Sequence, residues 1–95
     1  MEEELEKMNQ EHNEFKEKLE DILSKLVQRR KELEEDKGKR KSMGLITYSV
    51  EDDINKIVEM EHKVLRDIKE LDEDFEKLKQ DFLSLHANNT KKQKD

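Results

Sequence analysis

Residues 50–85 read VEDDINKIVEMEHKVLRDIKELDEDFEKLKQDFLSL, and the fold turns on how their apolar residues are spaced. From Val50, alternating steps of four and three visit Ile54, Ile57, Glu61, Val64, Ile68, Leu71, Phe75, Leu78, Phe82 and Leu85. Glu61 is the one charged residue on that stripe. Spacing that averages 3.5 residues keeps a single seam of an α-helix turned toward a partner, so the stretch predicts a coiled-coil helix.

The same ladder recurs toward the N-terminus. With heptad position a at Leu5 and d at Met8, it passes through His12, Phe15, Leu19, Ile22, Leu26, Arg29 and Leu33. Composition agrees with this reading. A chain of 95 residues that is 48% charged and 31% hydrophobic cannot surround a conventional globular core. A helix pair needs only two apolar positions in seven. Proline is absent and glycine occurs twice, so little interrupts a helix.

Between the stripes lie signals for a break. Gly38 follows Lys37 within KGKRK, and cations favour a helix C-terminus. Gly44-Leu45-Ile46-Thr47-Tyr48 is poor in helix formers. Ser49, followed by Glu51, Asp52 and Asp53, reads as an N-cap. The expected layout is a first coiled-coil helix in 1–37, a basic tip in 38–49, a second helix in 50–87 and a disordered tail in 88–95.

An antiparallel register pairs the two stripes. It sets Leu5 against Leu85, Met8 against Phe82, His12 against Leu78 and Phe15 against Phe75. Further along it sets Leu19 against Leu71, Ile22 against Ile68, Leu26 against Val64 and Leu33 against Ile57. Arg29 then meets Glu61 as a register pair, since either charge left unpaired on the seam would be costly. Lys16 falls beside Asp72, Lys18 beside Asp74 and Lys25 beside Asp67. Two arrangements satisfy this register. One is a helical hairpin, which the break signals favour. The other is a domain-swapped antiparallel dimer of one continuous helix, favoured by heptad phase that runs unbroken from Leu33 through Arg40 and Thr47 to Ile54. Two helices alone leave the seam partly wet, so self-association or docking of a partner's helix is expected.

Charge is unevenly placed. Residues 1–36 hold 13 acids and 7 bases, and residues 51–95 hold 13 acids and 9 bases. Between them Lys37, Lys39, Arg40 and Lys41 form a basic island. A net charge of −6 argues against general nucleic-acid binding. The plain reading of the island is compensation of a helix dipole; the sharper one is contact with an anionic surface. No apolar run is long enough to span a bilayer, and the acidic N-terminus resembles no targeting signal.

Chemistry finds little foothold. There is no cysteine, and no nucleophile–base or phosphate-loop pattern. His12 reads as a polar layer in the seam. Glu59 and His62 have the spacing of half a carboxylate-bridged metal site, but they fall on the outer face and have no second copy. No cofactor or metal is expected. The sequence thus predicts an all-α, non-enzymatic, intracellular coiled-coil module. It would mediate oligomerisation or scaffolding in a larger complex of cytoskeletal, kinetochore or tethering type. The alternative is a binding module that presents the tip, Lys37 to Tyr48, to nucleic acid, a tubulin tail or an import factor.

Overall fold

The computed structural model describes residues 2–87, with the backbone of the last helix continuing to Lys94. The tail expected over 88–95 lies outside the described residues. Two helices make up the described residues apart from a short linker: α1, Glu2–Ser42, and α2, Tyr48–Lys94. They pack on each other as an antiparallel helical hairpin 80 Å long, 18 Å wide and 12 Å deep. The chain therefore reverses near its middle and does not run on as one continuous helix.

Local chemistry explains each helix. Glu2, Glu3 and Glu4 occupy the first turn of α1 and Lys39, Arg40 and Lys41 its last, each complementing the helix dipole. Ion pairs four residues apart support the exposed faces: Asp21 with Lys25, Arg30 with Glu34, Asp36 with Arg40, and Asp52 with Lys56.

The turn lies later and is tighter than the sequence suggests. Gly38 sits inside α1, not at its end, and its carbonyl accepts from the Ser42 hydroxyl at 3.0 Å. A lone glycine weakens a helix by about 1 kcal/mol, too little to stop one this long. The stop is Gly44, whose φ of 72° is left-handed. Its N–H donates to the Lys41 carbonyl at 3.1 Å, and Leu45 N–H donates to Arg40 at 2.9 Å. This pair of bonds is the Schellman closure, which satisfies carbonyls that the helix end leaves open. On the far side, the first bond of α2 runs from Glu51 N–H to the Thr47 carbonyl at 2.9 Å. Thr47, not Ser49, thus sits at the cap position. The linker is reduced to residues 43–47, and the expected basic tip splits, its cations remaining on α1.

Helix α1 is also turned about its own axis relative to the expected seam. Its a positions Leu5, His12, Leu19, Leu26 and Leu33 face α2, as expected. Their companions are Lys16, Leu23, Arg30 and Lys37, each one residue beyond Phe15, Ile22, Arg29 and Asp36. At 100° per residue this is a rotation of about 50°. α2 keeps Val50, Ile54, Ile57, Glu61, Val64, Ile68, Leu71 and Phe75 inward. Beyond Phe75, Lys79 and His86 replace Leu78 and Leu85. Burial is sparse: only Leu33, Val50 and Glu61, at 8%, 4% and 7% exposure, are buried among the described residues.

Candidate protein-interaction face

The rotation makes the two sides of the hairpin chemically different. Around each helix, positions d and g lie on one side of the a row and positions e and b on the other. In an antiparallel pair both d–g edges fall on the same side, as do both e–b edges.

The e–b side is laced by charge. Arg30 Nε donates to Glu61 Oε2 at 2.8 Å, where sequence pairing had put Arg29. Arg29 instead lies in solvent and pairs with Glu32 at 3.4 Å. Arg30 wins because the turned helix sends it over the seam, where it satisfies the buried carboxylate; that hydrogen bond raises the guanidinium pKa above its ordinary value. Lys16 Nζ meets Asp72 Oδ2 at 3.0 Å, the pairing expected from sequence. His12 Nε2 contacts the other Asp72 oxygen at 3.0 Å, which assigns the proton to Nε2. Its buried Nδ1 has no hydrogen-bond partner. The ring stacks on Phe75, with centroids 4.1 Å apart and planes 14° from parallel, so His12 meets Phe75 and not Leu78. The Lys16 hydrogen bond, with a smaller contribution from His12, holds the Asp72 carboxyl below its ordinary pKa. Nearer the turn, Lys37 reaches Glu51 at 3.2 Å, and the Thr47 hydroxyl donates to the same Glu51 oxygen at 3.3 Å.

The d–g side is apolar. Phe15, Ile22, Leu78 and Leu85 are 53%, 47%, 55% and 63% exposed. Met8, Phe15, Leu71, Phe75 and Leu78 line an open groove of about 320 Å3, bordered by Glu11 and Asp74. A second hollow continues it past Phe15, Leu19, Leu71 and Asp67. Of the expected seam, then, the hairpin takes in Leu5, Met8, His12, Leu19, Leu26, Leu33, Ile54, Ile57, Val64, Ile68, Leu71, Phe75 and Phe82. It leaves Phe15, Ile22, Leu78 and Leu85 on this side. Sequence reasoning missed Leu23, Arg30 and Lys37 as inward residues. The doublets Ile22-Leu23 and Arg29-Arg30 were the available sign that the stripe has two possible edges.

The turn end offers a smaller surface. Met43, Leu45, Ile46 and Tyr48 are 73%, 55%, 74% and 78% exposed. Two of the four neighbouring cations are taken up by the chain's own acids, Lys37 by Glu51 and Arg40 by Asp36 at 3.0 Å. Lys39 and Lys41 are exposed and make no ion pair among the described residues. No group of three or more metal-ligating side chains occurs among the described residues. No helix there is long and apolar enough to cross a membrane. None of the protein-family models, curated proteins or solved structures matches this chain.

Proposed function

We propose that this hairpin is a non-enzymatic assembly module whose apolar d–g side packs against helices of other protein. The observation that carries the reading is the row of large apolar side chains, Phe15, Ile22, Leu78 and Leu85, each about half exposed on one side of the molecule. Apolar surface concentrated in this way on a chain of 48% charged residues marks a protein contact. Thermodynamics points the same way, because only two hydrophobic side chains among the described residues, Leu33 and Val50, are buried. So small a core leaves the ordering entropy poorly offset, and a further helical layer would supply the missing burial. The scaffold role and the antiparallel coiled-coil geometry both follow from that packing.

Sedimentation equilibrium from about 1 to 500 μM, with helicity followed by circular dichroism, tests it. The expected result is a mass that rises above one chain together with helix content. A well-folded chain that stays monomeric throughout would sink the reading.

A second reading places a docking point at the turn, where exposed Lys39 and Lys41 flank Ile46 and Tyr48. It would take an anionic partner surface. Reversing Lys39 and Lys41 to Glu distinguishes the two, because assembly through the helical side would survive the change.

A further inference from the structure

The assembly reading leaves open what covers the apolar side, and the next step rests on that reading. We propose that the occupant is a second copy, forming a two-fold dimer with the hairpin turns at the same end and α1 of each copy over α2 of the other. The charges that border the apolar side carry the argument. Along the α2 edge, Asp67 and Asp74 line the grooves. Asp81 lies two turns further along the same row and Met60 two turns before it. Along the α1 edge Glu11 lines the groove, and Lys18 and Lys25 follow at two-turn steps. Lys25 pairs with Asp21 on its own helix, and no salt bridge joins Lys18 to Asp74 or Lys25 to Asp67 among the described residues.

Two ways of closing the face by a two-fold axis follow. An axis across the hairpins lays α1 on α1 and α2 on α2, which sets the Asp67, Asp74 and Asp81 row against itself. An axis along the hairpins lays α1 on α2 and allows no axial slip. Within one hairpin Lys16 is level with Asp72 and His12 with Phe75. The same levels then hold between copies, so Lys18 lies between Asp67 and Asp74 of the other copy and Lys25 between Met60 and Asp67. Glu11, between Asp74 and Asp81, and Glu32, near Asp53, are the repulsions. The apolar rows also match: Met8 faces Leu78, Phe15 faces Leu71 and Ile22 faces Val64. The size is right as well. The apolar stretch covers somewhat under half of an 80 × 18 Å side. This is roughly 600 Å2 in projection, near the about 800 Å2 of accessible surface each partner gives to a standard stable interface. On the e–b side, crossed by Lys16–Asp72, Arg30–Glu61 and Lys37–Glu51, Leu65 is exposed at 49% while Leu23, Val27, Val58 and Leu83 are partly covered, so less large apolar surface is open there than on the d–g side.

The chain has no cysteine, so a spin label at Ser49→Cys, exposed at the turn end of α2, is unique. The expected distance between labels is about 15–30 Å, the diagonal of a four-helix bundle plus the label arms. A dimer with turns at opposite ends would separate the labels by much of the 80 Å length and overturn the proposal while leaving assembly intact. A monomer with no dipolar signal would overturn both. Phe15→Lys, which keeps a good helix former at a half-exposed site, should weaken the dimer at least about tenfold. Leu65→Lys, on the e–b side at 49% exposure, should not. Reversing Lys18 and Lys25 to Asp should weaken it as well, and adding Asp67→Lys and Asp74→Lys should restore it. A dimer indifferent to Phe15→Lys, or a reversal that the second pair fails to rescue, would overturn the proposed face and orientation.

Discussion

Glu61 shows how one side chain sets the rotation of a helix. Glu61 is 7% exposed, so its carboxylate must have a partner, and Arg30 provides one at 2.8 Å. Truncating Arg30 strands that carboxylate, whereas truncating Arg29 removes only a solvent-exposed pair with Glu32. Arg30→Ala should therefore lower the urea midpoint clearly, and Arg29→Ala should change stability by no more than about 0.5 kcal/mol. Equal effects would reinstate the pairing expected from sequence. Asp72 carries a pH dependence. Its folded pKa lies below the ordinary value because the folded state hydrogen-bonds the carboxylate to Lys16. The stabilisation is thus fully present above the unfolded aspartate pKa of about 3.9 and is lost as pH falls through the folded value. Urea titrations between neutrality and strong acid should show a loss of stability below about pH 4 that is smaller in Asp72→Asn.

The two glycines have opposite roles in α1, one lying within it and the other ending it. Gly38 lies within α1 at ordinary helical φ, with open space where a Cβ would go. Gly38→Ala should raise stability by about 0.5–1 kcal/mol, measured by thermal or urea unfolding. Gly44 sits at φ 72° at the Schellman closure, so Gly44→Ala should cost about 1–2 kcal/mol although space is free there too. If both substitutions act in the same direction, the assigned helix end is wrong. From the sequence alone both glycines are stop signals, and Gly38 comes first with a basic cluster after it. The difference lies in which carbonyls can be closed. Leu45 N–H reaches back to Arg40 only when Gly44 turns left-handed.

At the scale of the molecule, the hairpin is a thin rod with a radius of gyration of 22.1 Å, against about 13 Å for a compact domain of similar length. A rod two helices thick has no interior remote from solvent, which is why even Leu33 keeps 8% exposure. Packing a second rod along its length would thicken the particle without lengthening it. Small-angle scattering should then give a cross-section that grows with concentration while the maximum dimension stays near 80 Å. Mass action adds that the melting temperature should climb over the same concentration range. A cross-section independent of concentration would leave the apolar side uncovered.

Two helices, their antiparallel pairing and the a row of each were legible in residues 5–33 and 50–85, because periodicity records how apolar residues lie around one helix axis; that the pairing closes within one chain as a hairpin was decided by the turn at Gly44. The partner row was not. A position-a stripe can be completed on either side, by d or by e, and the choice depends on what the other helix presents there. Composition favoured d, since Phe15, Leu78 and Leu85 are more apolar than Lys16, Lys79 and His86, while Ile22 and Leu23 are alike, as are Arg29 and Arg30. In the tertiary structure α1 takes e instead, where Lys16, Arg30 and Lys37 find Asp72, Glu61 and Glu51 across the seam. Long basic side chains can cover apolar surface with their stems while their heads reach carboxylates, so they serve at the edge of a seam as well as a leucine does. The sequence by itself determined the two helices and the a row that each turns toward the other. Only the packing of one helix on the other, through ion pairs available on a single side, left the second apolar row facing outward.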